Sequence, residues 1–210
     1  RFTMTNLQTE AFVLRRLDHG EDHVIVHLLG RETGRISAMA FGARRSKRRF
    51  AGALEPLRVV EAHLKAPRSG DLYTLEELEV LESFPGLEER IETITAASYG
   101  TELVRETWSE GVASEQIFEL LRHFYIHLPR CRSAGELWRL TYQLELELLS
   151  LYGLLPMIHH CARCGLAPEA MDRLRFSRRG EGLICQKCRH PGDMLGTVEP
   201  ATLKLLHHLD

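Results

Sequence analysis

Four of the five cysteines lie in two Cys-x-x-Cys pairs that are separated by 20 residues. The first pair is Cys161 and Cys164, and the second is Cys185 and Cys188. Each pair can offer two thiolates from one tight turn, and zinc prefers four such soft ligands at tetrahedral angles. The spacing therefore predicts one zinc ion (Zn2+) per chain, bound in a zinc-ribbon-like module at residues 161–188.

A redox role is the main alternative for a Cys-x-x-Cys pair. A thioredoxin-like pair needs a strand–helix context, which is missing around both pairs. His159 and His160 could replace a thiolate of Cys161, but four cysteines already complete the set, so we expect them to pack or to support the site. Four cysteines also leave no open coordination position. We therefore expect the metal to be structural rather than catalytic.

A dense run of cations is the second group of residues that could do chemistry. It comprises Arg44, Arg45, Lys47, Arg48 and Arg49. Such closely spaced like charges repel, so we expect the segment to be exposed and mobile until an anion arrives. Guanidinium groups fit phosphate oxygens, and Phe41 or Phe50 could stack on a base. The run predicts DNA binding, with a solubilising loop or a face paired with carboxylates as the alternative.

The charge distribution along the chain favours a polyanionic partner for the first third. Residues 1–75 hold 13 Lys and Arg against 8 Asp and Glu, whereas residues 76–160 hold 6 against 15. Residues 1–75 thus form a basic head and residues 76–160 an acidic body. This asymmetry suggests that the head binds a polyanion, although a dipolar protein would show the same counts. Arg15, Arg16 and Arg35 lie in this head and could extend the DNA-binding surface.

The elements that must position these residues begin with five short strands. Apolar runs of strand length, separated by turn residues, are found at Ala11–Leu17, His23–Leu29, Arg35–Phe41, Leu57–Lys65 and Leu72–Leu81. Five strands in about 75 residues suit a small barrel such as the OB-fold. The glutamate-rich last run is expected to be strand or partly helical. OB barrels often bind oligonucleotides, which strengthens the DNA-binding interpretation of the cations.

Helices are predicted for the middle of the chain. Apolar residues recur at helical spacing in Glu88–Trp108, Ser114–Leu128 and Ala134–Tyr152, and a further helix is expected at Glu199–Leu209. Ser114 is expected to cap the second helix and Gly153 to end the third. The third carries a leucine stripe, which we interpret as helix-bundle core: Leu137, Leu140, Leu144, Leu148 and Leu151.

The predicted fold class is therefore α+β, with an N-terminal five-stranded OB-fold barrel, a helical bundle in the middle and a zinc-ribbon-like insertion. The Ser83-Phe84-Pro85-Gly86 turn marks the expected boundary. We expect an OB-fold nucleic-acid-binding domain at residues 1–82 and a helical domain at residues 83–210. Two short runs between the cysteine pairs, Leu174–Phe176 and Gly182–Ile184, are expected to form a hairpin.

Motifs of common enzyme classes are missing from the sequence. It holds no GxxxxGK[ST] phosphate loop, no HExxH and no GxSxG element, so we expect a protein without a catalytic site. No run of 18 apolar residues is present, and we expect a cytoplasmic protein without a membrane partner. The final predicted helix has no cap, which is consistent with a native chain that continues past Asp210.

The order of several short motifs resembles the RecO family of bacterial recombination mediators. The motifs begin with Glu10–Arg16, His19–Asp22 and Gly34–Ile36, followed by Phe41–Ser46 and Leu54–Pro56. They continue in the helical part with Glu145–Leu149 and Gly153–Pro156, directly before the cysteine pairs. The resemblance covers most of the chain, and the order and spacing carry it rather than any single motif.

Membership of that family would imply a non-enzymatic role in RecFOR-type DNA repair. The implied activities are binding of single- and double-stranded DNA, annealing of complementary strands and assistance in loading a recombinase on SSB-coated DNA. The implied partners are RecR and the C-terminal tail of SSB, for which we expect a basic apolar groove near Arg132 and Arg139. The implied location is the bacterial cytoplasm, in association with the nucleoid. The basic run falls in the family's glycine-led basic segment.

Two other functions are compatible with the same residues. A zinc-stabilised protein-interaction adaptor would use the basic head to meet an acidic protein without annealing DNA. A zinc-ribbon transcription factor would usually carry a clear recognition helix, and the sequence shows none.

Overall fold

The computed structural model describes residues 6–46, 48–50, 52–67 and 69–207. The chain divides into two compact units, the first ending at Leu144 and the second starting at Glu145. The strands of the first unit are β1 (Asn6–His19), β2 (His23–Gly30), β3 (Gly34–Ala40), β4 (Arg58–Lys65) and β5 (Leu72–Ser83). The helices are α1 (Ile91–Thr107), α2 (Glu115–His127) and α3 (Ala134–Leu151), and the unit boundary falls within α3.

The five strands form a closed barrel in the order β1-β2-β3-β5-β4. β1 is long enough to pair with β2 through its second half and with β4 through its first half, which closes the barrel. β3 and β5 run parallel, and all other pairs are antiparallel. This is the predicted OB-fold. β5 is a strand as far as Ser83, so the expectation of partial helix there is wrong. Its residues 72–74 pair with β3, and residues 74–83 pair with β4.

Alternating apolar residues fill the barrel interior. In β2, Val24, Val26 and Leu28 are fully buried. The residues that alternate with them, His23, Ile25 and His27, are only half-buried. This period of two is what a strand with one face in a core requires. The same cluster includes Ile36 of β3 and Leu64 of β4.

β1 is buried on both faces, because its outer face packs against the helices. Ala11 and Val13 belong to the barrel core, whereas Phe12 points outward. The Phe12 ring lies 4.7 Å from the Phe118 ring and 5.3 Å from the Tyr125 ring, both on α2. The uninterrupted apolar run from residue 11 to residue 14 reflects this double burial.

α1 packs through small residues, which differs from the predicted apolar face. Its buried positions are Thr93, Ala96, Ala97, Gly100, Thr101 and Val104, while Ile91 is 71% exposed. Gly100 explains the difference, since a Cβ there would lie 2.7 Å from Phe124 of α2 and 2.9 Å from Leu144 of α3. The helix also begins at Ile91 rather than Glu88, because residues 85–90 form a turn.

The predicted helix ends of α2 and α3 are confirmed. The Ser114 hydroxyl accepts a hydrogen bond from the Ile117 N–H at 3.3 Å, as an N-cap does. Gly153, with φ of +68°, and Leu154 donate to the carbonyls of Ser150 and Leu149, which makes a Schellman motif. Of the predicted leucine stripe, only Leu144 and Leu148 are fully buried, and the other three are half-buried.

The second unit is small and built around the cysteines. β6 (Arg175–Ser177) pairs with β7 (Leu195–Thr197), which the sequence did not predict. The predicted hairpin is confirmed by the Phe176–Leu183 bridge, although residues 182–184 do not form a regular strand. α4 (Pro200–His207) follows, and the predicted end at Leu209 lies outside the described residues. Ile158, Leu183 and Leu203 form the apolar core of this unit.

None of the helices in the described part of the chain is long and apolar enough to cross a membrane.

A single glycine fixes the contact between β3 and the loop after α1, which gives a test of the fold. A Cβ at Gly34 would lie 2.2 Å from the Val112 carbonyl oxygen, whereas a Cβ at Gly111 meets no heavy atom within 4 Å. Both glycines have φ of +69°, so alanine carries the same backbone strain at each position. We expect Gly34→Ala to lower the free energy of unfolding by about 1–3 kcal/mol more than Gly111→Ala in denaturant titrations. Equal losses would contradict this packing.

Candidate nucleic-acid interface and metal centre

The basic run lies in the loop between β3 and β4, and apolar side chains anchor this loop in the barrel. Ala43 and Phe50 flank the cations, and both belong to the barrel core with Ala53 and Leu54. Phe50 is only 1% exposed, so it cannot stack on a base as predicted, whereas Phe41 is 50% exposed. The described cations Arg44, Arg45, Arg48 and Arg49 are exposed, as predicted, and buried residues on both sides of them anchor the loop. The expected mobility of the loop stays a prediction.

The turn between β1 and β2 holds the first two arginines of the loop. The Arg44 guanidinium donates to the Glu21 carbonyl at 3.0 Å, and Arg45 Nε lies 2.7 Å from Asp22 Oδ1. The Arg44 backbone N–H also donates to the Asp22 carbonyl. Both side chains remain exposed, so these contacts orient the guanidinium groups without removing them from solvent.

Arg48 and Arg49 lie on the outside of the same loop. Arg49 donates to the Phe41 carbonyl at 2.8 Å, and its own carbonyl accepts a hydrogen bond from the Leu78 N–H of β5. Arg48 is exposed and has no ion pair within the described residues. Lys47 lies outside the described residues.

The structure brings only part of the other predicted DNA contacts to this loop. Arg16 reaches Glu55 at 3.0 Å and Asp18 at 3.2 Å, so it lies beside the loop but in ion pairs. Arg35 pairs instead with Glu110, in the segment after α1. Arg15 is exposed and lies opposite His27 on the outer face of the β1–β2 pair.

A second group of cations surrounds His27 on this outer face. Burial and then the charges of Arg15, Arg105 and Arg35 lower the pKa of His27 from its usual value. His27 Nδ1 lies 3.0 Å from the Ser37 hydroxyl, so the ring is held by a neighbouring strand. Arg15 and Arg35 therefore lie near the same histidine, on a face of the barrel away from the loop between β3 and β4.

The four predicted cysteines come together in the second unit. Their sulfur atoms all lie within 4.8 Å of one another, and Cys164 Sγ is 3.6 Å from Cys185 Sγ. A zinc–sulfur distance of about 2.3 Å implies sulfur–sulfur edges of about 3.8 Å in a tetrahedron. The residues therefore fit a tetrahedral metal ion, and this cluster could hold one.

Backbone geometry brings each cysteine pair into this cluster. Gly165, with φ of +73°, donates to the Cys161 carbonyl at 2.9 Å and turns the chain after the first pair. The Cys188 N–H donates to the Cys185 carbonyl in an equivalent turn. The Cys185 N–H also donates to Cys161 Sγ at 3.4 Å, which links the two pairs directly.

The electrostatics of the cluster favour a cation at its centre. Burial alone would raise the pKa of Cys161, but N–H groups of Cys185, Arg163 and Cys164 donate to its sulfur and lower the pKa to about 6. The thiols of Cys164 and Cys185 raise the pKa of Cys188 to about 12. One thiolate therefore forms readily, whereas the full set of four requires a positive charge among them.

Arg163 is a structural residue that the sequence did not reveal. Its guanidinium binds the Asp193 carboxylate at 2.8 and 2.9 Å, pairs with Glu181 and donates to the Cys188 carbonyl at 2.7 Å. It therefore connects the first cysteine pair with the second pair and two loops. Its place between Cys161 and Cys164 is visible in the sequence, but its partners are 18 to 30 residues away.

Fold and site together define a protein with an OB barrel that displays a basic loop and with a separate four-cysteine cluster that could hold a metal ion. The description "Recombination protein O N terminal" fits residues 4–84, and "Recombination protein O C terminal" fits residues 88–210. The chain belongs to the RecO family of recombination and DNA repair proteins.

Individual relatives agree with this assignment. DNA repair protein RecO of Myxococcus xanthus (strain DK1622) is 36% identical over 185 residues, which cover 88% of this chain and 73% of the relative. DNA repair protein RecO of Alkaliphilus metalliredigens (strain QYMF) is 32% identical over 203 residues, which cover 97% and 80%. The Bacillus pumilus (strain SAFR-032) protein of the same name is 31% identical over 207 residues, which cover 97% and 78%.

The Arg163 contacts predict that this side chain controls how tightly the metal is held. Lysine keeps the charge but has only three N–H donors, too few for the five hydrogen bonds that Arg163 makes to two carboxylates and a carbonyl. We expect Arg163→Lys to weaken metal binding roughly 10- to 100-fold, the range found for residues that support metal ligands. Competition with a chromogenic chelator measures the affinity, and Arg173→Lys serves as the control because Arg173 is exposed. Equal affinities of the two variants would refute the role of Arg163.

Proposed function

We propose that this protein is a non-enzymatic recombination mediator that binds single- and double-stranded DNA through the loop between β3 and β4. It anneals complementary strands and assists recombinase loading on SSB-coated DNA. The observation that carries the proposal is the run of exposed arginines anchored by buried residues on an OB barrel. Membership of the RecO family supports the same function.

Annealing at this surface needs no nucleotide hydrolysis. Phosphates of two complementary strands repel each other, and exposed guanidinium groups reduce that repulsion by taking the place of counterions. Base pairing then drives the reaction, and the protein leaves the base edges free because its contacts go to the phosphate backbone. No catalytic site is required for this mechanism.

The anchored loop lowers the cost of binding. Immobilising a side chain on binding costs about 0.5–1.5 kcal/mol, and a mobile backbone adds more. Ala43 and Phe50 are buried on either side of the cations, and the carbonyls of Glu21 and Phe41 orient the guanidinium groups of Arg44 and Arg49. DNA would therefore meet two guanidinium groups that are already oriented.

Arg15, Arg16 and Arg35 are proposed as supplementary contacts. Arg15 is exposed, so its guanidinium group is accessible to a phosphate. Arg16 and Arg35 are in ion pairs with Glu55 and Glu110, so each must exchange a carboxylate for a phosphate. We expect smaller contributions from these two than from the loop.

The partners proposed with this function are RecR and the C-terminal tail of SSB. Family membership supports both, and an acidic tail would be attracted to the exposed Arg132 and Arg139. We also propose that residues 1–82 act as the nucleic-acid-binding domain and residues 83–210 as a helical domain with the metal module. The first matched region ends at residue 84 and the second begins at residue 88, which supports this division.

The metal proposed for the cysteine cluster is zinc in a structural role. Four thiolate ligands in a tetrahedron suit Zn2+, and they leave no position for a reacting water. Cys161, Cys164, Cys185 and Cys188 would hold the ion, which supplies the positive charge that the four thiolates need.

The zinc assignment predicts one zinc per chain in freshly purified protein, measured by elemental analysis. Structural zinc contributes about 10–16 kcal/mol of apparent binding free energy in small metal peptides. We therefore expect Cys185→Ser to lose the metal and to expose the second unit to proteolysis, while Cys131→Ser keeps one zinc. Freshly purified protein that contains no zinc would refute the assignment.

The DNA-binding assignment predicts a strong salt dependence. Five neutralised phosphates give a slope of about −3.5 for the logarithm of the affinity against the logarithm of the salt concentration on single strands. Replacing Arg44, Arg45, Lys47, Arg48 and Arg49 with alanine should flatten this slope and weaken binding to all sequences alike. Fluorescence anisotropy with a labelled oligo(dT) measures both quantities.

A matched pair of variants controls for net charge. Arg44→Ala/Arg48→Ala and Arg132→Ala/Arg139→Ala each remove two exposed cations from the first unit. We expect only the first to flatten the slope. Equal effects of the two variants, or a wild-type slope near zero, would exclude the loop as the main contact and favour the protein-interaction adaptor.

A further inference from the structure

A group of exposed cations beside the cysteine cluster is not used by the function proposed above. Arg178 and Arg179 lie in the turn after β6, and Lys187 and Arg189 lie in the segment of the second cysteine pair. All four are exposed, and none has an ion pair within the part of the chain that the structure describes. The four side chains therefore carry positive charge that is not neutralised within the described residues.

The two segments that carry these cations meet at Arg163. The Arg163 guanidinium lies 2.9 Å from Glu181, which follows the first segment, and 2.7 Å from the carbonyl of Cys188 in the second. Arg163 therefore contacts both the chain that follows the first segment and the second segment itself. Arg163 thus links the two cation-bearing parts of the chain, although Arg178 and Arg189 are 11 positions apart in sequence.

Arg163 also offsets part of the local negative charge, since its one guanidinium group binds two carboxylates. Glu181 and Asp193 lie next to the cation group, and the Arg163 guanidinium binds both carboxylates. This contact lowers the pKa of Asp193 to about 2, first through the Arg163 hydrogen bond and then through the His190 N–H. Neither carboxylate is left to pair with the four exposed cations.

The backbone under these cations is held in place. The Arg178 N–H donates to the Met194 carbonyl at 2.8 Å, and the Arg179 N–H donates to the Ser177 hydroxyl at 3.3 Å. The Arg189 N–H donates to the Gln186 carbonyl in the turn of the second cysteine pair. A fixed cluster of cations is what recognition of a regularly spaced polyanion requires.

We propose that Arg178, Arg179, Lys187 and Arg189 form a second nucleic-acid surface, which binds the phosphate backbone of single-stranded DNA. This inference rests on the proposed DNA binding and adds a site in the second unit to the loop in the first. The metal ion would fix the second cysteine pair that carries two of the four cations. A protein with two backbone-binding surfaces can contact two strands, or two parts of one strand.

Charge balance at the metal site is the competing explanation for these cations. Four thiolates and one divalent ion carry a net charge of −2, and nearby cations would stabilise them. The two explanations differ in what the cations control. If they serve the metal, removing them weakens metal retention and leaves DNA binding unchanged; if they serve DNA, the reverse holds.

The experiment compares Arg179→Gln/Lys187→Gln with Arg173→Gln/Lys204→Gln in the full chain. Each variant removes two exposed cations from the second unit, so the change in net charge is matched. Anisotropy with labelled oligo(dT) between about 50 and 200 mM salt should give a slope for the first variant that is shallower by about 1.4, with zinc content unchanged. The second variant should keep the wild-type slope.

Three results would overturn the proposal. They are equal slopes for the two variants, a shallower slope only in the second variant, and loss of zinc together with DNA binding in the first. Alanine variants of the loop between β3 and β4, measured in parallel, separate this outcome from a failure of the proposed function. If the loop variants lose affinity and Arg179→Gln/Lys187→Gln does not, the loop alone binds DNA.

Discussion

Burial of Phe50 in the barrel determines where the cations of this protein can lie. The interior of a five-stranded barrel must be filled, and Phe50 joins Ala43, Ala53 and Leu54 of the same loop in that core. The arginines of the loop lie between Ala43 and Phe50 in sequence, and charged groups cannot enter an apolar core without a partner. The guanidinium groups of Arg44, Arg45, Arg48 and Arg49 therefore face solvent, while the buried residues on both sides of them anchor the loop.

Polar contacts of Arg163 hold the segments of the second unit together, whereas apolar side chains anchor the loop of the barrel. Arg163 satisfies two carboxylates and one carbonyl, and the cysteine cluster lies between the segments that it joins. Small units of this kind bury too little apolar surface to be stable alone, and metals commonly supply the missing free energy. Both units thus display cations on a backbone that other interactions hold.

Regular patterns made much of the fold predictable from the sequence. Alternation gave the five strands, a serine and a glycine gave two helix ends, and the Cys-x-x-Cys spacing gave the metal cluster. What the sequence could not show depends on long-range packing. The small buried face of α1 follows from the approach of Phe124 and Leu144 to Gly100, and the inward position of Phe50 follows from barrel closure. Likewise, the partners of Arg163 are distant along the chain.

The central claim is that the anchored cations of the loop between β3 and β4 act on DNA strands. Stopped-flow annealing of complementary labelled strands, bare and coated with SSB, tests it most directly. We predict that the wild-type protein accelerates annealing on both substrates and that alanine at Arg44, Arg45, Lys47, Arg48 and Arg49 removes most of the acceleration, with zinc content and unfolding midpoint unchanged. Annealing at the wild-type rate in this variant would contradict the account.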